Sequence, residues 1–368
     1  MAQETDNLNS PPETTTPEPA TDKPGPKFRR VSAILLVLVA AGAAVFWIFC
    51  INMPGASFNE ETTADTTNEE PAAAEVSLPD ELREYVVHLA ETIGERNLDH
   101  YEKLCTAADY VEAQLKSWDY NTTRQTFTCR ELECFNIIGE IPGSKQPEKI
   151  VIVGGHYDSV RGTPGANDNG SGTAAMLALA RHFKAAKPEL TIRFVGFTNE
   201  EPPYFQNKGE MGSWVYAEQC RQNGDDIIGV ISLETMGYFT DEPKSQQYPA
   251  PLSLMYPSTG NFIGFVSDLK SRPLQRRVIK KFRDHAKIPS EGASLPDALP
   301  GVGWSDHWSF WQEGYQGIMV TDTAPFRYPH YHEPTDTPDK IDYERMAKVV
   351  DGLVFVIEDL AEISLPKE

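Results

Sequence analysis

The hydrophobic and polar positions of this chain change period repeatedly along most of its length. Short apolar runs rich in β-branched residues, at 150–153, 191–197 and 227–233, predict buried strands. Apolar residues that recur every three or four positions, as at 173–186, predict helices between these strands. Such alternation favours an α/β fold, a three-layer α/β/α sandwich with a mixed, mainly parallel sheet.

Two further strand-like runs, 124–128 and 135–141, flank a short polar turn and predict an antiparallel hairpin at one edge of this sheet. The same patterns predict strands at 252–256 and 317–321, and helices at 80–93, 101–118, 212–221, 262–269, 273–285 and 338–363.

Residues 31–51 carry no charged side chain, and this segment is long enough for one transmembrane helix. Three basic residues stand within 27–30, whereas no Lys or Arg follows the segment before Arg83. Because basic residues favour the cytoplasmic side, the pattern predicts a single-pass signal anchor with the C-terminal bulk outside the cytoplasm, periplasmic or extracellular. A cleaved signal peptide is disfavoured, because a clear small-x-small cleavage site is missing.

Composition divides the chain around this anchor. Residues 1–30 are rich in Thr, Pro and acidic residues without an apolar period, which predicts a disordered cytoplasmic tail. Residues 52–77 are typical of an acidic flexible linker, and 78–368 form the predicted folded domain. The formal net charge of −21 argues against nucleic acid as a partner.

The sequence contains five cysteines, of which Cys50 lies in the apolar segment. Cys129 and Cys134 flank the turn of the predicted hairpin, and in an exported domain we expect them to form a disulfide. Cys105 and Cys220 each fall in a helical pattern and are either buried free thiols or a pair.

Acidic residues and histidines follow the predicted strands at their carboxyl ends, where open α/β sheets bind ligands. His156 and Asp158 follow the strand at 150–153, and Asp168 lies in the Gly- and Asn-rich loop after them. The same residue types recur further along the chain at Glu200, Glu201, Glu234, His330, His332 and Asp336. Because the ends of neighbouring strands meet at one edge, these side chains are expected to converge, and their mixture of imidazoles and carboxylates suits zinc.

Four stretches of this set resemble the M28 metallopeptidases, a family that includes co-catalytic zinc aminopeptidases. His-Tyr-Asp at 156–158 is similar to the family's His-x-Asp, and the loop at 167–172 to its bridging-aspartate loop. Asn-Glu-Glu at 199–201 resembles its pair of base and ligand, and 331–337 resembles its last ligand segment. One position departs from the pattern, since Glu234 stands where the family usually has Asp.

The resemblance implies two Zn²⁺ ions per chain. The implied ligands are Asp168 as the bridge, His156 and Glu234 on one ion, and Glu201 and His332 on the other. Glu200 would be the general base that takes a proton from the metal-bound water. Asp158 would accept the other ring N–H of His156, and Tyr331 would donate to the oxyanion.

These features together predict a membrane-anchored zinc peptidase. The resemblance implies that it is an exopeptidase, an aminopeptidase that hydrolyses N-terminal residues of peptides outside the cytoplasm. Two alternatives stay open: a single-zinc transferase like the glutaminyl cyclases, and a non-catalytic binding ectodomain of the same fold. The side-chain pocket is expected from 237–256 and 290–311, where Asp306 and His307 either line the site or have a structural role. The sequence indicates neither the side-chain preference nor the oligomeric state.

Overall fold

The computed structural model describes residues 34–40, 42–43 and 76–363. The first two ranges fall within the predicted anchor and are helical, with exposed side chains. No helix among the described residues is long and apolar enough to span a membrane. The predicted tail, the rest of the predicted anchor and the predicted linker up to residue 75 lie outside the described residues, and the membrane topology stays a prediction.

The domain is built around a mixed sheet whose eight described strands have the order β1-β2-β4-β3-β5-β8-β6-β7. The strands are β1 (Asn121–Cys129), β2 (Leu132–Ile141), β3 (Gln146–His156), β4 (Leu190–Phe197), β5 (Asp226–Glu234), β6 (Ile263–Ser267), β7 (Ser290–Ser294) and β8 (Gly317–Thr321). β3 pairs in parallel with β4 and β5, β5 with β8, and β6 with β7. The pairs β1–β2, β2–β4 and β6–β8 are antiparallel, so the predicted mixed sheet with a hairpin at one edge is confirmed.

Helices cover both faces of this sheet. The α-helices described from residue 76 onwards are α1 (Leu78–Val87), α2 (Tyr101–Ser117), α3 (Gly172–Phe183), α4 (Gly212–Asn223), α5 (Arg272–His285), α6 (His307–Gln312) and α7 (Tyr343–Leu360). Side chains alternate along a strand, so Val151 and Val153 of β3 pack into the core beneath α1, α2, α3, α5 and α7. Ile150 and Ile152 pack on the other face, in the core beneath α4 and α6. The described domain is therefore an α/β/α sandwich.

Three elements differ from the sequence-based predictions. Residues 252–256, predicted as a strand, contain a 3-10 turn at Leu252–Leu254, and 262–269, predicted as a helix, contain β6. Short apolar runs fit either structure, and here pairing decides, because Phe265 lies opposite Val320 of β8. β7 was not predicted, because Ser-Glu-Gly-Ala-Ser lacks the β-branched and aromatic residues that mark strands.

The predicted disulfide between Cys129 and Cys134 is wrong for this structure, in which both thiols are free. The hairpin register pairs Cys129 with Leu132 and Phe127 with Cys134, so the two cysteines are diagonal neighbours. Diagonal Cα atoms lie ~7–8 Å apart, whereas a disulfide needs ~4.4–6.8 Å. Cys105 and Cys220 are also free, and they lie on helices of opposite faces, which excludes a pair between them.

Candidate metal centre

Neighbouring strands bring their carboxyl ends, and the polar residues that follow, to one edge of the sheet. β3 ends at His156, which lies opposite Phe197, the last residue of β4. β5 ends at Glu234, and the pairing of Gly154 with Ser232 places Glu234 level with His156 on the adjacent strand. The sequence-based expectation that these strand ends converge is therefore confirmed.

The predicted ligands form two groups that share Asp168. In the first group, Nε2 of His156 lies 3.5 Å from Oδ1 of Asp168 and 3.3 Å from Oε2 of Glu234. In the second group, Nε2 of His332 lies 3.1 Å from Oδ2 of Asp168 and 3.3 Å from Oε2 of Glu201. One oxygen of Asp168 thus faces each group, which is the arrangement that a carboxylate bridging two ions requires.

The donor set fits divalent cations. Nε2 of the buried His156 has no hydrogen-bond partner among the described residues, and neither does Nε2 of His332. Ligand atoms of His156, Glu200 and Glu234 lie within 4.8 Å of one another, as do those of His156, Asp168 and Glu201. Buried imidazole nitrogens without partners are costly, and coordination of a metal removes that cost.

The electrostatics of the centre also favour added positive charge. Burial acts to lower the pKa of His156, but the charges of Glu234 and Glu200 outweigh it and hold that pKa well above its usual value. Burial, followed by the charge of Asp168, raises the pKa of Glu201 to about 8. These buried carboxylates repel one another, and cations placed among them relieve that repulsion.

Asp158 connects His156 to the segment that carries the two glutamates. Its Oδ1 lies 3.4 Å from Nδ1 of His156, on the side of the ring away from the other acids. The same carboxylate accepts hydrogen bonds from the backbone N–H groups of Glu200 and Glu201, each at 3.2 Å. Asp158 therefore fixes the position of both glutamates relative to His156.

Glu200 lies beside the first group, close to His156 and Glu234. Its Oε2 is 3.7 Å from Nε2 of His156, and its side chain is buried. Burial raises the pKa of Glu200 well above its usual value, helped by the charges of Glu234 and Glu201 and opposed by His156. A carboxylate with a raised pKa next to a metal group is suited to accept a proton and to release it again.

The loop that carries Asp168 is held by Asp336, whose role was not predicted from the sequence. Oδ1 and Oδ2 of Asp336 accept the backbone N–H groups of Asn167 at 2.8 Å and Asp168 at 3.1 Å. The hydroxyl of Tyr328 donates to the same carboxylate at 2.8 Å. Asp336 follows His332 by four residues, so it ties the loop of the shared ligand to the segment of the last one.

Close packing explains the glycine after this loop. A Cβ atom on Gly172 would lie 2.2 Å from Oδ1 of Asn169 and 2.3 Å from the carbonyl oxygen of Leu233. That Oδ1 accepts the backbone N–H groups of Gly172 and Thr235, and Nδ2 of Asn169 donates to Leu233. Asn169 therefore joins the loop to the end of β5, and only glycine leaves room for it.

The remaining predicted residues have mixed outcomes. The ring of Tyr331 stacks on His332 with centroids 3.9 Å apart and borders the same cavity as Glu234. His330 instead contacts Thr335, at 2.8 Å, and does not join the centre. His307 is buried with Nε2 2.8 Å from the carbonyl oxygen of Val302, which favours the structural role for it.

A cavity opens beside the metal centre. Glu234 and Tyr331 lie at its border, and Trp304 lines it with 44% of its surface exposed. Apolar side chains supply most of the remaining wall, among them Leu252, Tyr256, Phe262, Phe265, Val302 and Met319. The cavity thus includes residues of both ranges in which the sequence placed the side-chain pocket, together with β6, β8 and the segment 323–331.

Solved structures share this fold. A zinc aminopeptidase from Bacillus subtilis superposes with a TM-score of 0.64 at 15% identity, over 80% of this chain and 98% of that one. A glutaminyl cyclase from Fimbriiglobus ruber superposes with a TM-score of 0.56 at 20% identity, over 80% of this chain and 99% of that one. At such identities the likeness concerns the fold alone.

Sequence relatives are closer. The uncharacterized protein YfbL of Escherichia coli (strain K12) is 33% identical over 296 residues, which cover 78% of this chain and 90% of YfbL. A probable leucine aminopeptidase of Trichophyton verrucosum (strain HKI 0517) is 29% identical over 236 residues, 60% of this chain and 56% of the relative, so the chain spans about half of that protein. Residues 136–357, more than half of the chain, match peptidase family M28. The chain therefore belongs to peptidase family M28 and is a metallopeptidase.

Proposed function

We propose that this protein is a di-zinc aminopeptidase that removes apolar N-terminal residues from peptides. The observation that carries the proposal is the pair of ligand groups around Asp168 next to an apolar cavity. The proposed ligands are His156 and Glu234 for one ion, Glu201 and His332 for the other, and Asp168 for both. Zinc bound there would lower the pKa of a coordinated water to ~7 and polarise the scissile carbonyl.

The chain's own residues supply the proton transfers and the orientation. Glu200 takes the proton of the attacking water and passes it to the leaving amine, as its buried position beside His156 permits. Asp158 orients the ring of His156 and holds the backbone of Glu200. The hydroxyl of Tyr331, at the border of the cavity, donates to the oxyanion.

The cavity supports a preference for bulky apolar N-terminal residues. Its wall is mostly apolar, so a leucine or phenylalanine side chain placed there leaves water. Full burial of such a side chain contributes ~1.5–3 kcal/mol, or about 10–150-fold in kcat/KM over a side chain that cannot fill the cavity. A lysine ammonium would have to be desolvated in the same place and is disfavoured.

The purified, zinc-loaded protein tests the proposal with aminoacyl-p-nitroanilides and a peptide with N-terminal glutamine. We expect release of nitroaniline from the leucine substrate in preference to the lysine substrate, and loss of activity on treatment with a chelator. Cyclisation of the glutamine peptide without nitroaniline release would favour glutaminyl cyclase activity, the alternative that the fold shared with a glutaminyl cyclase supports. Inactivity on both, with zinc bound, would favour a binding ectodomain.

The location of this activity is a separate proposal. The uncharged segment 31–51 and the basic residues before it support a single-pass anchor with the peptidase domain outside the cytoplasm. Protease added to intact cells or spheroplasts should then remove the domain from the membrane fraction. A domain that is degraded only after cell lysis would contradict the proposed orientation.

A further inference from the structure

Arg96 is a fully buried cation close to the metal centre. It lies just before α2, with no exposed surface, and is among the largest fully buried side chains of the described residues. No described carboxylate lies within ion-pair distance of its guanidinium, which distinguishes it from Arg193 in the sheet. Burial of an arginine without a carboxylate partner destabilises the fold. The hydrogen bonds of Arg96 therefore indicate its role.

The guanidinium donates only to backbone carbonyl oxygens. Its Nε donates to Tyr157 at 2.5 Å, and its Nη2 donates to Gly165 at 2.7 Å. Its Nη1 donates to Pro164 at 2.5 Å and makes longer contacts to the carbonyl oxygens of Gly94 at 3.3 Å and Leu89 at 3.4 Å. A rigid planar fork is needed to serve acceptors on several sides at once.

The acceptors of the shorter bonds belong to the two segments that carry the proposed metal ligands. Tyr157 lies between His156 and Asp158, and Gly165 lies three residues before Asp168. Arg96 therefore connects the end of β3 to the start of the bridging loop. Both ends of that connection are backbone groups, so the orientation of the peptide planes depends on this side chain.

The backbone of Arg96 reinforces the same connection. Its N–H donates to Oγ of Ser159 at 3.1 Å, and its carbonyl accepts the N–H of Ser159 at 3.0 Å. The bridging loop also passes close to this serine. A Cβ atom on Gly165 would lie 2.5 Å from Cβ of Ser159 and 2.6 Å from the carbonyl oxygen of Asp168, so only glycine fits there.

The charge of Arg96 faces the acidic centre at longer range. Burial lowers the pKa of Arg96 to about 10, opposed by the charges of Asp158, Asp336, Asp168 and Glu201, so the side chain is charged at neutral pH. A fixed cation behind these carboxylates offsets part of their mutual repulsion without occupying a ligand position.

We propose that Arg96 is a positioning residue of the metal centre, which holds the His156–Asp158 segment and the Asp168 loop at the spacing that two bridged ions require. The inference rests on the proposed function, because it concerns the same ions. A lysine at this position distinguishes the effect of hydrogen-bond geometry from the effect of charge, because it keeps the charge but cannot donate to carbonyls on several sides. Arg96→Lys should therefore fail to restore what Arg96→Met loses.

The test measures metal binding on folded protein. Arg96→Lys, Arg96→Met and the wild type are titrated with zinc against a chromophoric chelator, and their cobalt-loaded forms are compared by visible absorption. We expect both variants to bind zinc ~10–100-fold more weakly, the scale known for residues that orient ligands, and to show an altered cobalt spectrum. Arg193→Met is the matched control, because that arginine pairs with Glu140 and Asp225 away from the centre. It should lower the melting temperature and leave zinc affinity and the cobalt spectrum unchanged.

The outcomes separate this inference from the proposed function. Wild-type zinc affinity and spectrum in Arg96→Lys would overturn the positioning role, while a wild type that binds no zinc would overturn the proposed function itself. If the Arg96 variants do not fold, Ser159→Ala tests the same connection, because it removes only the acceptor of the Arg96 N–H and a bond to Thr163. Weakened zinc binding in folded Ser159→Ala would support the inference, and unchanged binding would overturn it.

Discussion

Removal of the hydroxyl group of Ser305 should weaken zinc binding by the ligand group that contains His156 and Glu234. Oγ of Ser305 donates to Oε2 of Glu234 at 2.8 Å and contacts Oγ of Ser232 at 2.9 Å, and both serines are fully buried. The same Oε2 is the oxygen that faces Nε2 of His156. Ser305 thus fixes the glutamate oxygen that we assign to the metal.

The magnitude follows from the kind of bond that is lost. A hydrogen bond to a charged group contributes ~1.5–3 kcal/mol, so Ser305→Ala should weaken zinc binding at this group by about 10–150-fold. The second zinc, held by Glu201 and His332, should keep most of its affinity, so a zinc titration should separate into two steps. The assay is a chelator-competition titration, with kcat measured at saturating zinc and, in parallel, at limiting zinc.

A matched control removes a hydroxyl of equal burial outside the centre. Ser309 is fully buried four residues further on, and its Oγ lies 2.9 Å from that of Ser213, an uncharged partner. Ser309→Ala should lower stability by ~1 kcal/mol and leave zinc binding unchanged. Zinc affinities of Ser305→Ala within threefold of the wild type at both steps would refute the reasoning.

Three further outcomes test the assignments around this group. Glu200→Gln keeps the shape of the side chain and leaves all five proposed ligands in place, so the variant should retain its metal and lose ~10²–10⁴-fold in kcat. Glu201→Gln should instead lose one zinc. The opposite pattern would mean that the two glutamates have each other's role. Elemental analysis should find close to two zincs per chain, falling toward one in Glu234→Ala, and a single zinc unaffected by that change would contradict the bridged centre. Val266→Phe narrows the cavity that Val266 lines, so it should reduce kcat/KM for a phenylalanine substrate more than for an alanine substrate. Equal losses for the two substrates would show that the cavity does not determine the side-chain preference.

The centre of the fold was predictable because its strands carry a strong local signal. β3, β4 and β5 are buried on both faces, so their runs of apolar, β-branched residues are visible without any knowledge of their neighbours. β6 and β7 are strands for a different reason: their backbones pair with each other, and β6 pairs with β8. Such pairing lies far apart in sequence and leaves little trace in the composition of a five-residue segment.

The metal centre likewise contains residues that the sequence predicted and contacts that it did not. Imidazoles and carboxylates at strand ends are recognisable as ligand types, and all five predicted ligands lie in the two groups around Asp168. Of the residues that hold them, Asp158 was assigned to His156 from the sequence, whereas the contacts of Asp336, Arg96 and Ser305 were not predicted, because each acts on a partner remote in sequence. Asp336 binds the backbone of Asp168 across 168 residues, Arg96 reaches Tyr157 across 61, and Ser305 reaches Glu234 across 71. No local pattern encodes such a contact.

The contacts of Glu234 explain why a glutamate can stand where an aspartate was expected from the family resemblance. Glu234 and His156 stand level on adjacent parallel strands, and the extra methylene lets Oε2 reach a point 3.3 Å from Nε2 of His156. A longer side chain has an additional torsion to order, and the bond from Ser305 orders it. Glutamate and serine should therefore act as a unit. In Glu234→Asp the carboxylate withdraws from Ser305, and a second change, Ser305→Ala, should then cost little more. A double-mutant cycle on zinc affinity measures this coupling, and strictly additive effects would show that the serine does not position the glutamate.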